Sequence, residues 1–486
     1  MAERKKKLEA IKIMGLNPYE HRFERTHKIK EIVDKYSKIK SDEKLKKAKV
    51  AIAGRIRSLR RHGGGSFADL EDFSGKVQLW TSLDTVGKEV YDLFEKIDVG
   101  DIVGIKGFVF KTKKGELSIW VEEFKLLTKS LRPLPSSWFG LKDVETRYRQ
   151  RYIDLLMNRE VRKTFEIRMK VIEGIREFLV NRGFVEVETP ILQPTYGGAS
   201  ARPFESYFNA LDMKVYMRIS NELYLKRLIV GGYEKVFEFS RDFRNEGIDT
   251  IHNPEFEQME TMWAYANYED NMKLCEEMVE YLAKKIFGTT KIKCGDKTID
   301  MKAPWQRIKM FDAIKKFTKI DFDKIKTVDG ARKTAEELGV DISKCKTIGE
   351  IAVIIFEDKV QPNLIQPTIV YDYPAEVFGL AKLKENDKRF IEAFEPIING
   401  MEMGLSYSEE NNPQKLGEYW KAAEDHFKKG DMEAQRMDLD FIRALEYGMP
   451  PTSGLGFSVD RSTMIFSNSK SIRDVIFFPT LRHEKE

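Results

Sequence analysis

The chain has 486 residues, of which 42% are hydrophobic, and it carries a formal net charge of +5. This apolar content, with 31 Phe and 18 Tyr residues, supplies enough surface for folded domains and excludes a mainly disordered chain. No stretch approaches the roughly 20 apolar residues that span a bilayer, so no membrane association is expected. The charged N-terminus precedes no apolar segment, and the three cysteines lack disulfide or metal-ligand spacing. We therefore expect a soluble protein of the reducing cytoplasm.

The charge is unevenly distributed along the chain. Residues 1–62 contain 20 basic and 8 acidic side chains, a net charge of +12, so the remaining residues carry −7. A basic segment ahead of a mildly acidic body suggests that a polyanion binds at the N-terminal end. A solvated helical face would explain the same charge equally well. Charge by itself does not decide between these two interpretations.

The first 130 residues change character near residue 48. Residues 1–47 are Lys-rich and polar and predict helices, with a break at Gly15–Pro18. From residue 48 the hydrophobic period shortens towards two, which predicts strands separated by glycine-containing turns. One strand ends in a Gly-Gly-Gly turn, two follow around Asp72–Gly75, and three more lie beyond residue 98. Five or so short strands in about 80 residues favour a small closed or nearly closed barrel.

Helical periodicity returns after a proline-containing linker, which we place at residues 131–157. Residues 158–182 repeat apolar side chains at three- and four-residue steps, and Gly183 follows as a C-cap. The repeating positions are Val161, Phe165, Met169, Ile172, Ile175 and Leu179. Beyond them, short strands alternate with amphipathic helices, and a Lys-rich stretch at 313–349 predicts a helical insertion.

The densest group of chemically useful side chains lies at residues 240–260. Two strands that flank a loop would aim Arg244 and Glu246 at one pocket, with His252 above it. An Arg beside a Glu suits a substrate that carries both phosphate and amine or ring-nitrogen groups, on which Phe256 could stack. A surface cluster of ion pairs on a hairpin is the alternative interpretation.

Two further signals are weak when each stands alone. A hairpin with its turn at Asn399–Gly400 would bring Glu395 and Glu402 to one hard cation such as Mg²⁺, although such pairs are usually just solvated. Arg461 stands where a strand meets a helix, and a helix N-terminus with a guanidinium suits a phosphate tail. An ion pair without any ligand explains a single Arg equally well. The GLG sequence in the same strand is more typical of a tight turn than of a dinucleotide-binding loop.

Taken in order, these blocks closely resemble the class II lysyl-tRNA synthetases along nearly the whole chain. Motif 1 corresponds to FLVNRGFVEVETPIL at about 178–192, motif 2 to about 240–260 and motif 3 to about 454–466. The blocks more specific to this subgroup are SFADLEDFSG, TKSLRPLP, LKDVETRYRQRYIDL, GGASARPF, NELYLKR and RALEYGMPPT. A chance match across all of them is not credible.

The resemblance implies a multidomain fold. A basic helical extension at 1–47 would precede an OB-fold β-barrel at 48–130 that binds the anticodon. An α+β catalytic domain with an antiparallel sheet would occupy 158–486. Motif 1, around Pro190, would form the interface of a homodimer. The basic N-terminal residues would then meet the tRNA backbone, which accounts for the uneven charge.

The resemblance also implies an activity, that of a lysine–tRNA ligase that uses ATP and Mg²⁺ and charges tRNA(Lys). By resemblance, Arg244 and Arg461 are the catalytic cations, and Glu246, His252 and Phe256 complete the ATP site. The implied amino-acid site contains Gly198, Glu222, Glu260, Met262, Tyr407 and Glu409, of which the last faces the ε-ammonium. The implied magnesium ligands are Glu395 and Glu402, and the implied anticodon contacts are Arg60, Phe67 and Gln78.

Four places near the substrate depart from the family pattern. Leu405 stands where a side-chain amide is usual, and Met262 stands where a tyrosine usually helps to hold the ε-amine. Residues 378–382 read FGLAK instead of SPLAK, and residues 457–459 read FSV instead of IGI. Because the phosphate and metal residues are unchanged, we expect adenylation to survive with a repacked lysine pocket.

Two other interpretations stay open. An aspartate- or asparagine-specific synthetase of the same subgroup would share the barrel and motifs, but Glu409 and the GGASARPF block disfavour it. A tRNA-binding paralogue with little charging activity is the second. The complete set of phosphate and metal residues disfavours it, because a chain without catalysis has no use for them.

Overall fold

The structure is a computed structural model that describes residues 1–135, 141–428 and 436–483. The chain divides into two compact units, Met1–Lys142 and Asp143–Glu486. Within the predicted linker at 131–157, residues 136–140 lie outside the described residues. Its last part forms two short helices of the second unit, and the second helix contains a buried 2.6 Å ion pair between Arg151 and Asp154. These residues are folded rather than linking, because a buried charge pair must be enclosed by other elements.

Five strands close into a barrel in the first unit, in the order β1-β2-β3-β5-β4. The elements of this unit are α1 (Ala2–Ile13), α2 (Ile29–Tyr36), β1 (Lys44–His62), β2 (Gly65–Glu71), β3 (Lys76–Ser82), α3 (Leu83–Glu95), β4 (Ile102–Lys111) and β5 (Leu117–Thr128). The predicted barrel is confirmed. The prediction of three strands beyond residue 98 is wrong, because two long strands take their place. These strands bulge near Gly107 and so follow the curve of the barrel. The helix α3 was not predicted.

Residues 14–28 are not helical, although helices were predicted throughout 1–47 apart from one break. Gly15, with φ of +75°, follows the end of α1. The segment then runs along the barrel, where the backbone N–H of Thr26 donates to the carbonyl of Ala51 at 2.9 Å. The backbone satisfies its hydrogen bonds on a strand of the barrel and has no need of a helix.

The second unit is built on one large, mostly antiparallel sheet in the order β14-β15-β16-β18-β19-β11-β10-β6, with β17 paired to β16. Its strands are β6 (Val185–Glu186), β7 (Leu192–Gln193), β8 (Glu205–Phe208), β9 (Met213–Met217), β10 (Lys235–Phe243), β11 (Glu255–Ala264), β12 (Lys291–Cys294), β13 (Lys297–Asp300), β14 (Gln306–Lys309), β15 (Thr368–Tyr371), β16 (Ala393–Ile398), β17 (Met401–Glu402), β18 (Gly404–Ser408) and β19 (Thr452–Ser458). The remaining strands form two small sheets, β12-β13 and β7-β9-β8.

Helices cover this sheet, and two hydrophobic clusters fill the space between them. They are α4 (Val144–Arg149), α5 (Arg151–Met157), α6 (Arg159–Val180), α7 (Glu222–Val230), α8 (Tyr268–Phe287), α9 (Met310–Thr318), α10 (Val328–Glu337), α11 (Ile348–Ile355), α12 (Pro413–Lys428), α13 (Leu439–Glu446), α14 (Val459–Ser467) and α15 (Ile472–Val475). The stretch 313–349 includes the end of α9, all of α10 and the start of α11. Buried side chains such as Ile314 and Ala331 join this stretch to one of the clusters. None of the described helices is long and apolar enough to cross a membrane.

Helix α6 confirms the predicted helical period with one correction. Val161, Phe165 and Ile175 are buried as predicted, but Met169 is 67% exposed. The neighbouring Arg168 takes the inward position, where its guanidinium forms ion pairs with Asp460 and Glu257. An arginine therefore occupies the buried position that the apolar pattern predicted for the methionine.

Gly404 allows the close approach of β18 and β19, and we predict that Gly404→Ala lowers the free energy of unfolding by about 1–3 kcal/mol. A Cβ at Gly404 would overlap the carbonyl oxygen of Gly456 on the neighbouring strand. Thermal unfolding of the purified protein measures the change.

Gly417→Ala is the matched control, because its Cβ would lie 4.0 Å from the nearest atom, Cδ1 of Ile442, inside helix α12. It should leave stability unchanged or raise it by about 0.5–1 kcal/mol. Equal unfolding temperatures for the two variants would contradict the prediction.

Candidate active site and nucleic-acid interface

A cavity of about 430 Å³ opens in the second unit on one face of its large sheet. The predicted site residues that line it are Gly198, Glu222, Arg244, Glu246, His252, Phe256, Glu260, Glu402, Tyr407, Glu409 and Arg461. Of the residues predicted to bind ATP, the amino acid or the metal, Met262 and Glu395 are not in its lining. Side chains that are far apart in sequence therefore meet around one space large enough for a small-molecule substrate.

Two glycines on β19 keep the floor of the cavity open. Gly454 and Gly456 both line it, because alternate residues of a strand face the same side. A Cβ on Gly454 would reach the carboxylate of Glu409 and the Cε atom of Met262. The GLG sequence thus serves a strand that leaves room for a ligand, and its interpretation as a tight turn was wrong.

The loop between β10 and β11 supplies the first cation. The two strands pair antiparallel, as the hairpin prediction required, and Arg244 follows directly after β10. Its backbone N–H donates to the carbonyl of Pro254 at 2.8 Å, which fixes the base of the loop. Its guanidinium carbon lies 5.0 Å from the centre of the Phe256 ring. A guanidinium and a flat ring therefore stand side by side at the cavity wall.

Arg461 supplies the second cation at the start of α14, where Ser458 caps the helix by accepting from the Arg461 backbone N–H at 3.1 Å. Its guanidinium lies 3.1 Å from Nε2 of His252, whose Nδ1 lies 2.7 Å from a carboxylate oxygen of Asp249. Because a guanidinium can only donate, Nε2 accepts and Nδ1 carries the proton that is donated to Asp249. The loop histidine and the helix cation are thus held together.

Carboxyl groups gather next to Arg461. Glu402 accepts from its guanidinium at 2.7 Å, and Glu395 accepts from the hydroxyl of Tyr373 at 2.7 Å. Burial, followed by repulsion from Glu402 and Glu357, raises the pKa of Glu395 well above its usual range. Carboxylates that repel one another in this way are a donor set that suits a divalent cation. Among residues 1–135, 141–428 and 436–483, no three His, Cys, Asp or Glu side chains already converge at metal-binding distances.

The other end of the cavity contains a buried network of charges. The ammonium of Lys226 forms ion pairs with the carboxylates of Glu222 and Glu409. The hydroxyl of Tyr407 donates to the second oxygen of Glu222 at 2.6 Å. Burial, followed by the nearby carboxylates, raises the pKa of the Tyr407 hydroxyl well above its usual range, so the hydroxyl keeps its proton. The two carboxylates are therefore fixed from behind and face the cavity.

A third carboxyl group, that of Glu260, adjoins this pair. Burial, followed by repulsion from Glu222, Asp242 and Glu409, raises its pKa well above the usual range. Burial also raises the pKa of Glu409 to about 8, although the Lys226 ammonium opposes the change. Three carboxyl groups thus share this buried end of the cavity with one ammonium group, that of Lys226.

The two substituted positions of the predicted amino-acid site take different places. Leu405 lines the cavity, whereas Met262 is only 1% exposed beneath Gly454 and belongs to a hydrophobic cluster. Met262 thus fills space next to Glu409 without offering it a hydrogen-bond donor.

Sequence reasoning missed two residues of this site. Lys226 stands four residues after Glu222, the spacing of a helical ion pair, so the signal was present but was not used. Tyr419 also lines the cavity, and a Cβ on Gly379 would overlap its ring. Nothing in the helical pattern of α12 marks Tyr419, because its role depends on a glycine in a distant loop.

The three predicted anticodon residues lie on adjacent strands of the barrel. Arg60 on β1 faces Phe67 on β2 in register, and Gln78 lies on β3 beyond it. The Phe67 ring lies 4.5 Å from that of Trp80, and the amide oxygen of Gln78 accepts from Ser118 at 3.0 Å, which leaves its NH₂ group to donate to a ligand. Arg60 lies 3.6 Å from Asp69. Aromatic and amide groups side by side suit the recognition of an unpaired base.

Comparison with known proteins agrees with both units. The family described as tRNA synthetases class II (D, K and N) matches residues 143–482, and the OB-fold nucleic acid binding domain matches residues 50–127. The chain belongs to the class II tRNA synthetases of this D, K and N group.

Three similar relatives are all named lysine–tRNA ligase, and each matches this chain along nearly its whole length. A lysine–tRNA ligase of Carboxydothermus hydrogenoformans is 49% identical over 99% of this chain and 97% of its own length. A lysine–tRNA ligase of Moorella thermoacetica is 48% identical over 100% of this chain and 98% of its own, and one of Bacillus cytotoxicus is 48% identical over 99% and 97%.

Proposed function

We propose that the protein is a lysine–tRNA ligase, which joins lysine to ATP as lysyl-adenylate and transfers the lysyl group to tRNA(Lys). One observation carries the proposal: a single cavity has guanidinium groups at one end and buried carboxyl groups at the other. The cationic end suits the phosphates of ATP, and the acidic end suits the ammonium groups of lysine. The named relatives support the same assignment.

In the first step, a carboxylate oxygen of lysine attacks the α-phosphorus of ATP, and the bond to the bridging oxygen breaks to release pyrophosphate. A carboxylate is already ionised at pH 7, so no general base is required. Catalysis therefore depends on alignment and on stabilisation of the charge that builds up at phosphorus. We assign this task to Arg244, which would contact both the carboxylate and the α-phosphate.

The rest of the nucleotide would lie along the cationic wall. The guanidinium of Arg461 would donate to the terminal phosphate, and His252, which lies along the same phosphates, would hold that guanidinium in place by accepting from it at 3.1 Å. Phe256 would stack on adenine, and Glu246 would accept from the adenine amine. The stacking face and the acceptor distinguish adenine from bases that lack its exocyclic amine.

Glu395 and Glu402 are the residues that would hold Mg²⁺. Burial, followed by repulsion from Glu402, raises the pKa of Glu395, and a divalent cation would relieve that repulsion, which supports this assignment. When bound, the ion supplies positive charge to the departing pyrophosphate. Glu402 would then act on the phosphates through the ion, and Arg461 would contact them directly. The two side chains lie 2.7 Å apart.

Lysine would lie at the acidic end with its ε-ammonium against Glu409 and its α-ammonium near Glu222, Glu260 and Gly198. Lys226 pairs with only one oxygen of Glu409, so an apolar or acidic amino acid would leave negative charge at this buried end without a partner, which costs on the order of 3–5 kcal/mol. A shorter diamine loses less, about 1–3 kcal/mol for each missing methylene. Charge is therefore a stronger determinant of substrate choice than length.

In the second step, the terminal 3′-hydroxyl of tRNA attacks the acyl carbon, and AMP leaves. The barrel would select the tRNA through stacking on Phe67 and hydrogen bonds from Gln78 and Arg60.

We place this reaction in the cytoplasm and in a homodimer formed through motif 1. Ile191 and Leu192, next to Pro190, are 45% and 55% exposed, as an apolar surface that another subunit covers would be.

ATP–pyrophosphate exchange with Mg²⁺ and each of the twenty amino acids in turn tests the first step. We expect exchange with lysine at a rate far above that with any other amino acid. Exchange with aspartate or asparagine would keep the mechanism and overturn the substrate. If none of the twenty amino acids supports exchange and the protein still binds tRNA, the protein is a tRNA-binding paralogue and not a lysine–tRNA ligase.

The double variant Leu405→Asn, Met262→Tyr should tighten lysine binding, because both changes add a hydrogen-bonding group beside the substrate. One added hydrogen bond of about 1 kcal/mol lowers the KM for lysine about fivefold. Leu405→Ala, Met262→Phe is the matched control, which changes the same positions without polar groups. Weaker lysine activation by the Asn/Tyr variant than by its control would exclude a repacked lysine pocket.

Phe67→Ala should raise the KM for tRNA(Lys) about tenfold or more and leave pyrophosphate exchange unchanged, since stacking of one base on an aromatic ring contributes about 1–3 kcal/mol. Aminoacylation and exchange assays on one preparation measure both. Phe73→Ala, at a 78% exposed phenylalanine of the same unit, is the control. Equal effects of the two variants on the KM for tRNA would contradict the role given to Phe67.

A further inference from the structure

One cation of the second unit is enclosed behind the amino-acid end of the cavity. Lys226 is 1% exposed and does not line the cavity, whereas both of its partners, Glu222 and Glu409, do. Glu222 lies one turn before Lys226 on α7, and Glu409 comes directly after β18. The ammonium thus links two elements through the carboxylates that a ligand would touch.

The balance of charges at this end is informative. Three carboxyl groups, those of Glu222, Glu260 and Glu409, surround one ammonium group, that of Lys226. If all three carboxyl groups are ionised, two negative charges remain for a ligand to neutralise. A free amino acid with a basic side chain brings two ammonium groups, which is the number required. Without Lys226, a ligand would need three ammonium groups to neutralise the same three carboxylates.

We propose that Lys226 is a positioning residue that holds Glu222 and Glu409 in place at the cavity and gives them one positive charge, so that a ligand with two ammonium groups matches the three carboxyl groups at this end. The inference rests on the proposed function, because lysine is that substrate. Lys226 acts through the carboxylates and does not touch the substrate itself.

A purely structural role for Lys226 would not require these partners. The next residue on α7, Arg227, also forms ion pairs, but its partners are Asp438 and Asp440, neither of which lines the cavity. Both residues stabilise the packing of the helix. Of the two, only Lys226 pairs with groups that line the cavity.

Proton release on lysine binding separates the two roles. The ionisable groups around Lys226 and Glu409 are Glu222, Glu260, Asp242, Tyr407 and Tyr419. Loss of the ammonium raises the pKa of Glu409 beyond the value of about 8 that it has with Lys226 present. At pH 8, where about half of the Glu409 carboxyl is ionised in the wild type, the ligand-free Lys226→Met protein therefore holds up to about half a proton more, which must leave when the ammonium groups of lysine enter.

The experiment is calorimetric titration of the full-length protein with L-lysine at pH 8 in buffers of different ionisation enthalpy, for the wild type, Lys226→Met and Arg227→Met. We expect Lys226→Met to release up to about half a proton more than the wild type at this pH. Its Kd for lysine should be at least about tenfold higher at pH 7. Between pH 8 and 9, where the wild-type Glu409 is mostly ionised, the Kd of the variant should fall by up to about tenfold relative to that of the wild type. The KM for ATP should stay within about twofold.

Arg227→Met removes a cation from the same helix and should leave the proton release unchanged. The double variant Lys226→Met, Glu222→Gln removes one charge of each sign and restores the original balance. It should unfold at a higher temperature than Lys226→Met and release the wild-type number of protons. If the single variant does not fold, the double variant alone decides: a folded protein with wild-type proton release supports the proposal, and failure to fold overturns it.

The outcomes separate this inference from the proposed function. A wild-type protein that does not bind lysine would overturn the proposed function and the inference with it. A wild type that binds lysine, with the same proton release and the same pH dependence in Lys226→Met, would overturn only the role of Lys226. Equal changes in Lys226→Met and Arg227→Met would assign both residues to the stability of α7.

Discussion

Antiparallel pairing of β18, β19 and β11 sets the position of almost every group at the amino-acid end of the cavity. In this register Tyr407, Gly454 and Met262 lie side by side across three strands. The absence of a side chain at Gly454 leaves the space into which the carboxylate of Glu409 extends. Because a slip of one residue turns every side chain to the opposite face, the glycines, the tyrosine and the carboxylates depend on a single register.

The same sheet separates positive from negative charge over one cavity. Arg244 and Arg461 lie where strands end and a loop or helix begins, so their long side chains reach ligand groups beyond the sheet. Glu222 and Glu409 lie deeper, where little solvent screens their charge. In such surroundings an unpaired charge is costly and a paired one is strongly oriented, so the substrate that fits is one that is anionic at one end and cationic at the other.

The departures from the family pattern are understandable as a group. With methionine at 262, no hydroxyl reaches Glu409 from β11, and the carboxylate depends on the Lys226 ammonium. Tyr407 supplies a hydroxyl on the other side of the network, where it donates to Glu222. Hydrogen bonds that orient the acidic end thus come from β18 and α7, and on β11 the amide of Gln258 donates to Glu260 at 3.3 Å. Compared with the family pattern, the carboxylates are still held in place, but Lys226 and Tyr407 hold them instead of a tyrosine at position 262.

The amino-acid sequence by itself determined the barrel, the hairpin of β10 and β11, the strand–helix junction at Arg461 and the family. These features depend on local periodicity and on short motifs whose spacing is visible in one dimension. It did not reveal that Arg168 replaces Met169 in the buried stripe of α6, because an ion pair with the distant Asp460 reverses the local apolar preference.

Only the tertiary structure decided which groups share the cavity. Lys226 and Glu409 are separated by most of the second unit in sequence, and Tyr419 lines the cavity where Gly379 leaves it space. No periodicity records such pairs, since the free energy of burying a charge or a ring depends on what the fold brings next to it.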